Sequence, residues 1–136
     1  MYIMKVECIT TVLSHPSKYL VKAGWGHAEG YLTEGKEYDV LAVRRDWLKG
    51  EICYLLCDDN YDGVKYVWPT HIPAGYFVIK DNSIPASWTN KDGSMGPDFL
   101  LDAGFYESLT DSEPKAVRQF QAYLMQNTTQ DIGLFK

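Results

Sequence analysis

The sequence lacks any long apolar run. Its uninterrupted apolar stretches are only a few residues long, whereas a transmembrane helix needs about 20 apolar residues. The segment after Met1 also has no apolar core of signal-peptide length. We therefore predict neither a membrane span nor a secretory signal, and we expect a cytoplasmic protein.

Basic residues are outnumbered. The chain of 136 residues has 13 Lys and Arg against 18 Asp and Glu, for a net charge of −5. A protein that neutralises nucleic-acid phosphates needs a basic face, so this balance argues against a general nucleic-acid binder. With 46% hydrophobic and 23% charged residues, the composition is that of a globular domain with one core.

Cysteine is scarce, with three residues at Cys8, Cys53 and Cys57. An odd count without a secretory signal argues against a disulfide framework. Cys53 and Cys57 fall in a predicted strand, whose rise of about 3.3 Å per residue separates them by about 13 Å, too far for a disulfide. They are either small buried side chains or half of a zinc site completed by Cys8 or His71, although the tight Cys-x-x-Cys spacing is absent.

The first part of the chain has the period-two pattern of short strands. A long loop is expected over 14–30 and a connection over 44–51. The apolar segment 52–57 is predicted to be a central strand, with 64–68 as its hairpin partner. The five predicted strands span residues 5–11, 37–43, 52–57, 64–68 and 76–79.

The second part of the chain has helical periodicity. Residues 90–96 form a polar link, and 97–109 are predicted to be partly helical. A further helix is expected to start near Thr110-Asp111-Ser112, with Pro114 in its first turn and a loose tail over 127–136. Its apolar stripe, which should pack inward, consists of Ala116, Val117, Phe120, Tyr123 and Leu124. We expect a barrel over 1–82 and a crossover with a helical extension over 83–136, packed as a single compact domain.

The run Asp58-Asp59-Asn60-Tyr61-Asp62-Gly63 matches the opening of a calcium-binding loop. Such a loop needs a bidentate Glu at its twelfth position, where this chain has Pro69. The run also suits a tight turn in which Gly63 takes positive φ. We favour the turn, with its carboxylates exposed to a partner.

Acidic residues are unevenly distributed. Residues 1–80 have a net charge of −1 and residues 81–136 one of −4. Six acids and no Lys or Arg lie between positions 92 and 113, namely Asp92, Asp98, Asp102, Glu107, Asp111 and Glu113. They form either a solvated surface favoured by helix dipoles or an acidic patch for a basic partner.

Aromatic residues make up 14% of the chain. Trp25, Trp47, Tyr61 and Trp88 fall in predicted turns or links, where we expect them to be exposed. They are either anchors for a partner or rings that only fill space in a small barrel. Tyr66 and Trp68 are expected in the core or at the barrel edge. The histidines His15, His27 and His71 lie in no recognised nucleophile motif, so an enzyme would need His27 or His71 in a pocket with Cys or carboxylate partners.

Three segments carry a resemblance to a known family. Leu32-Thr33-Glu34-Gly35-Lys36-Glu37-Tyr38-Asp39-Val40 resembles the "L-T-x-G-K-x-Y-x-V" opening of small bacterial and phage proteins with a Src-homology-3-like (SH3-like) barrel. Residues 55–63 resemble their acidic hairpin, and Phe77-Val78-Ile79 after Pro73 resembles their last strand. The resemblance covers residues 4–80 and departs from the family at 68–73. It implies a mainly β fold with a C-terminal α extension (α+β), built on a small five-stranded SH3-like barrel.

Residues 99–124 are similar to the acidic tails of immunity proteins of contact-dependent inhibition and polymorphic toxin systems. This similarity implies a cytoplasmic protein that binds and neutralises a toxin domain. From the uneven charge, the aromatic residues in loops and the lack of catalytic motifs, we expect a non-enzymatic protein whose partner is a basic, nuclease-type toxin domain, without cofactor, metal, nucleic acid or membrane. The alternatives are a phage or accessory regulator that binds a host protein in its barrel groove, and an enzyme. The predicted partner-binding residues are Trp25, His27, Trp47, Asp58, Asp59, Tyr61, Asp62, Trp88, Asp98, Asp102 and Glu107.

Overall fold

The computed structural model describes residues 3–128 and shows a mainly β protein with helices in its C-terminal part. The strands are β1 (Lys5–Cys8), β2 (Glu37–Asp39), β3 (Ala42–Leu48), β4 (Glu51–Leu56), β5 (Thr70–Pro73), β6 (Phe77–Asp81), β7 (Thr89–Lys91) and β8 (Ser94–Gly96). The helices are α1 (Lys18–Lys22), α2 (Asp98–Leu101), α3 (Ala103–Thr110) and α4 (Pro114–Asn127), with a 3₁₀ turn at Ala74–Tyr76. The predicted α+β class is confirmed.

The strands of the described region form two sheets. One has the order β2-β1-β6 and the other β5-β4-β3-β8-β7, and the pairs within both are antiparallel. This hydrogen bonding differs from the single closed barrel of five strands that we expected. A single buried core nevertheless joins residues of both sheets with α4.

Strand β4 is central, as predicted. Its residue Leu55 is fully buried and pairs with Ala42 on one side and His71 on the other. Because both faces of the strand are covered, its sequence is apolar at successive positions rather than alternating. A two-residue hairpin at Lys49 and Gly50 joins β3 to β4, and Gly50 takes φ 75°.

The strand predicted over 37–43 is interrupted at Val40 and Leu41, and β3 continues to Leu48 through the segment expected to be a connection. The hairpin at Lys49 and Gly50 explains the continuation, since it returns the chain directly into β4. The pairing of β3 with β4 shifts register between Arg44 and Leu48.

The hairpin partner predicted over 64–68 is wrong, because the strand that pairs with β4 is β5. The backbone N–H groups of Val64, Lys65 and Tyr66 all donate to one carboxylate oxygen of Asp62. Donors used in this local cap are not available to a strand ladder. Gly63 takes the positive φ expected of it, at 75°.

The polar link predicted over 90–96 is instead the β7–β8 hairpin. Asp92 and Gly93 both have positive φ, at 54° and 88°, as a type I′ turn requires. Met95 of β8 pairs with Val43 of β3, so this hairpin extends the larger sheet. The loop expected over 14–30 also contains the short α1, whose first turn is capped by Ser17.

The predicted C-terminal helices are present. In α4 the residues Ala116, Phe120 and Leu124 are buried, and Val117 and Tyr123 pack against the core, which confirms the predicted stripe. The helix begins later than expected, with Glu113 as N-cap, because Asp111 already terminates α3.

The predicted tail falls mainly on 129–136, outside the described residues. No helix in residues 3–128 has the length and apolarity needed to cross a bilayer.

Candidate functional site

A cavity of about 510 Å³ opens beside the end of β4. Its size falls within the range of small-ligand sites. The lining combines four aromatic rings with short polar side chains, from Tyr31, Asp58, Asn60, Tyr66, Trp68, Thr70 and Tyr106. We call this the aromatic cavity.

Separate parts of the fold position the walls of the aromatic cavity. The hydroxyl of Tyr106, on α3, donates to the carbonyl of Pro69 at 2.9 Å. The backbone N–H of Asp59 donates to the carbonyl of Tyr31 at 2.9 Å. The cavity therefore depends on contacts between residues that are distant in the sequence.

Asp58 is the charged residue of the lining and is only 8% exposed. One of its carboxylate oxygens accepts from the Thr70 hydroxyl at 2.8 Å, and the other accepts from the Asn60 backbone N–H at 2.8 Å. Burial raises the pKa of this carboxyl above its usual value, and these hydrogen bonds offset part of the rise. A buried carboxylate with a perturbed pKa in a cavity is a candidate for binding or proton transfer.

The rings of the aromatic cavity are partly solvent-accessible. Tyr31 and Tyr66 are 43% and 38% exposed, and Tyr66 meets Trp68 edge to face at a centroid distance of 5.9 Å. Burial, followed by the nearby Asp58 charge, raises the pKa of Tyr106 to about 12, so its hydroxyl stays protonated at neutral pH. The site thus presents aromatic faces together with one carboxylate.

His71 lies behind this wall and is buried. Its ring stacks on Trp47 with a centroid distance of 3.8 Å and meets the Tyr106 ring at 4.7 Å. Neither ring nitrogen has a hydrogen-bond partner within residues 3–128. Burial, assisted by the Arg44 charge, lowers the pKa of His71 to about 3. The imidazole is therefore neutral at neutral pH, and among residues 3–128 no Cys or carboxylate forms a hydrogen bond with it.

The carboxylates of the turn at 58–63 accept hydrogen bonds from other groups of the protein. Asp59 accepts from the Lys36 ammonium at 2.8 Å and from the hydroxyls of Thr33 at 2.6 Å and Tyr38 at 2.8 Å. Burial opposes ionisation of Asp59, but these three bonds hold the pKa of its carboxyl below the usual value. The pKa of Asp62 is also lowered, by the backbone donors from Tyr66, Val64 and Lys65. The expectation that the carboxylates of this turn are exposed is wrong for Asp58, which is buried, whereas Asp59 and Asp62 are exposed but hydrogen-bonded within the fold.

The aromatic residues predicted as exposed anchors have different environments. Tyr61 and Trp88 are buried, at 8% and 9% exposure, so the expectation of exposure is wrong for both. Trp25 is half-buried against the core, and its carbonyl accepts from Tyr76. Trp47 is 40% exposed while its ring covers His71. His27 is exposed and forms an isolated bridge with Val12.

The six acids between positions 92 and 113 are all exposed. We call them the acidic segment. Within residues 3–128 none of them forms an ion pair. Asp98 accepts from the Thr89 hydroxyl at 2.6 Å, and Asp102 caps α3 by accepting from the Gly104 N–H at 2.9 Å. These hydrogen bonds leave the negative charges uncompensated.

Sequence reasoning missed most of the aromatic cavity. The acidic turn points to Asp58 and Asn60, but Tyr31, Thr70 and Tyr106 carry no local signal, since each lies on a different element or loop. Tyr66 and Trp68 were expected in the core or at an edge, and Tyr66 is instead exposed on the cavity wall. A clue was the recurrence of Tyr and Trp on both sides of the acidic turn.

The metal alternatives rest on Cys, His and Asp side chains. All three cysteines are buried, and burial raises the pKa of the Cys53 thiol to about 12. Among residues 3–128, His, Cys, Asp and Glu form no group of three or more that could hold a metal ion.

Comparisons with protein-family models, curated proteins and solved structures found no match for the chain.

Proposed function

We propose that the protein is a non-enzymatic, cytoplasmic immunity protein that binds and neutralises a basic toxin domain, of the nuclease type. The observation that carries the proposal is the acidic segment, whose six exposed carboxylates form no ion pair with any of residues 3–128. Basic active-site surfaces of nucleases are electrostatically complementary to such a segment. The resemblances to SH3-like barrel proteins and to immunity proteins agree with this proposal.

The proposed mechanism is steric occlusion of the toxin, assisted by charge. Three acids would steer the basic partner toward the protein, namely Asp98 on α2, Asp102 between α2 and α3, and Glu107 on α3. Tyr106 neighbours Glu107 on α3 and lines the aromatic cavity, so the acidic segment and the cavity share one helix. Half-exposed rings, such as those of Trp47 and Tyr66, would supply anchors at the contact.

The proposal is tested by affinity capture from a lysate of the source organism. The full chain is compared with the triple variant Asp98→Asn, Asp102→Asn, Glu107→Gln, at low and high salt. We expect the wild-type chain to capture one basic protein and the triple variant to capture less of it. High salt should release this protein, because added salt shortens the screening length below its value of about 8 Å at physiological ionic strength. The captured protein is then assayed for nuclease activity with and without the chain.

A matched control is the triple variant Glu29→Gln, Glu34→Gln, Glu37→Gln, which removes the same charge from exposed positions outside the acidic segment. It should capture the partner like the wild type. Equal capture by all three proteins, or a captured partner whose toxicity the chain does not reduce, would refute the proposed function.

A second candidate function, a regulator that binds a host protein in a groove, is favoured by another observation. A mostly apolar cavity of about 280 Å³ lies where the two sheets meet, and Tyr54, Ile79, Ile84 and Met95 are among its lining residues. Ile79 and Ile84 are 52% and 47% exposed. Under this alternative, Ile79→Ser with Ile84→Ser would abolish capture and the acidic-segment variant would not.

A further inference from the structure

The lining of the aromatic cavity has an unusual charge pattern. It contains four aromatic side chains and one carboxylate, and none of its seven residues is Lys, Arg or His. An anionic ligand would meet the Asp58 charge without a compensating cation in the wall. A neutral apolar ligand would leave that buried carboxylate without a counter-charge. The pattern therefore favours a positively charged ligand.

The Asp58 carboxylate has acceptor capacity left for such a ligand. The protein supplies hydrogen bonds from Thr70 and Asn60 and a weaker contribution from the backbone N–H of Tyr61, whereas an ionised carboxylate can accept about four in total. The same two bonds fix the orientation of the side chain at the cavity wall. Asp58 can thus pair with an incoming cation without losing its internal contacts.

The ring faces complete the pattern. Aromatic rings attract ammonium and guanidinium groups placed within about 6 Å of their centroids. The Tyr66 ring already takes part in one such contact, since the ammonium of Lys65, which is not a lining residue, lies 5.4 Å from its centroid. Tyr31 and Tyr66 are both part exposed, so a ligand can reach the walls from solvent.

We propose that the aromatic cavity binds an aliphatic cationic group, an ammonium or a guanidinium, with Asp58 as its counter-ion and Tyr31, Tyr66 and Trp68 as the ring walls. The group would come either from a Lys or Arg side chain of a protein partner or from a free amine. The inference concerns the cavity itself and does not require the proposed immunity function.

The test is titration of the ¹⁵N-labelled chain with small probes, followed by NMR at the Trp68 indole N–H and at the backbone amides of Asn60 and Thr70. The cationic probes are N-acetyl-lysine methylamide, N-acetyl-arginine methylamide, n-butylammonium and tetramethylammonium. The neutral counterpart is N-acetyl-norleucine methylamide, which has the same chain length as the lysine probe without its charge. We expect saturable shifts with at least one cationic probe and at least about tenfold weaker binding of the neutral one, as a charged hydrogen bond implies.

Two variants examine the two parts of the site. Asp58→Asn keeps the shape and one acceptor oxygen, and it should weaken cation binding by at least about tenfold. Tyr66→Ala removes a part-exposed ring and should weaken binding by about two- to fivefold. Glu29→Gln serves as the control, because it removes one exposed acid near Tyr31 outside the lining, and it should bind like the wild type. If Asp58→Asn does not fold, Tyr66→Ala and the neutral probe still decide the question.

The probes also distinguish the two sources of the cation. Tighter binding of the lysine or arginine methylamide than of n-butylammonium supports a protein side chain, and tightest binding of tetramethylammonium supports a free quaternary amine. Equal binding of the norleucine and lysine probes would overturn the inference, as would the absence of saturable shifts at tens of millimolar probe. Because no toxin is involved, failure of this test is distinct from failure of the proposed function.

Discussion

Acidification should destabilise the protein through His71, and the replacement His71→Phe should remove that effect. The imidazole is 3% exposed, stacked on Trp47, and without a hydrogen-bond partner for either nitrogen among the described residues. Protonation would place a charge in this site next to the Arg44 guanidinium, which already lowers the pKa of His71. Phe preserves an aromatic ring at this position and cannot titrate.

The magnitude follows from the difference in proton binding between the folded and unfolded chains. Unfolded, His71 binds a proton below its ordinary pKa of 6.5, whereas folded it does so only near pH 3. Between these values the unfolded state holds the extra proton, so the free energy of unfolding falls as the pH falls. At pH 5, about 1.5 units below 6.5, the loss relative to pH 8 is about 2 kcal/mol.

The assay is urea unfolding of wild type and His71→Phe at pH 8 and pH 5, with the loss of stability compared between the two proteins. Asp58 acts in the opposite direction, because its raised pKa makes the folded state bind a proton first as the pH falls. That contribution is present in both proteins and cancels in the comparison. Any packing cost of the Phe ring shifts stability at both pH values equally.

We expect the wild type to lose about 2 kcal/mol more than His71→Phe between pH 8 and pH 5. The same loss in both proteins would refute the reasoning and would mean that the imidazole is hydrated or hydrogen-bonded. His71→Gln provides a second non-titrating variant if the Phe ring does not fit. An imidazole NMR signal of His71 that titrates between pH 8 and pH 5 would contradict the reasoning independently.

Two further predictions concern stability and are measured by urea unfolding. Phe120→Ala, at a fully buried position of α4, should lower the free energy of unfolding by about 3–5 kcal/mol. Met125→Ala, at 62% exposure on the same helix, should change it by less than about 0.5 kcal/mol. Similar effects of the two substitutions would contradict the assigned core. Gly93→Ala should cost about 1 kcal/mol or more, since Gly93 has φ 88° and a Cβ there would lie 2.8 Å from Arg45 Cδ. Gly26→Ala, without positive φ or a neighbour within 4 Å, should not destabilise, and equal losses would argue against the hairpin geometry.

The elements predicted well are those whose signal is local. The helix α4 carries a complete apolar stripe, and Phe120 and Leu124 are buried as expected. The strand β4 has six residues that are nearly all apolar, a pattern typical of a strand that is covered on both faces. In both cases the burial pattern can be read from consecutive residues without knowing what packs against them.

The link predicted over 90–96 was wrong although a local turn signal was present, because the prediction followed the polar composition of the segment. The segment around Asp92-Gly93 is polar and was expected to be a link, yet Asp-Gly is a strong type I′ hairpin signal. Its strands β7 and β8 have only three residues each, too few to show alternation. At 64–66 the alternating residues predict a strand that is not formed. The Asp62 carboxylate accepts hydrogen bonds from the backbone N–H groups of these residues instead.

The aromatic cavity could not be predicted, for a physical reason. Its walls come from positions 31, 58–60, 66–70 and 106, and the contacts that assemble them, such as Tyr106 with Pro69, span many residues. No periodicity encodes such contacts. The sheet topology could not be derived for the same reason, since β8 reaches β3 across about fifty residues.

Carboxylates that look alike in the sequence differ in what surrounds them. Asp59 forms an ion pair with Lys36 and accepts from two hydroxyls, and Asp62 accepts from three backbone donors. Asp98 and Asp102 remain exposed without a counter-ion in the described region. Of these five carboxylates, Asp58 is the one that is both buried and part of the wall of the aromatic cavity. Since a buried charge is costly without a partner, and a wall of aromatic rings can bind a cation, Asp58 is the carboxylate for which an external counter-charge would change the energetics most.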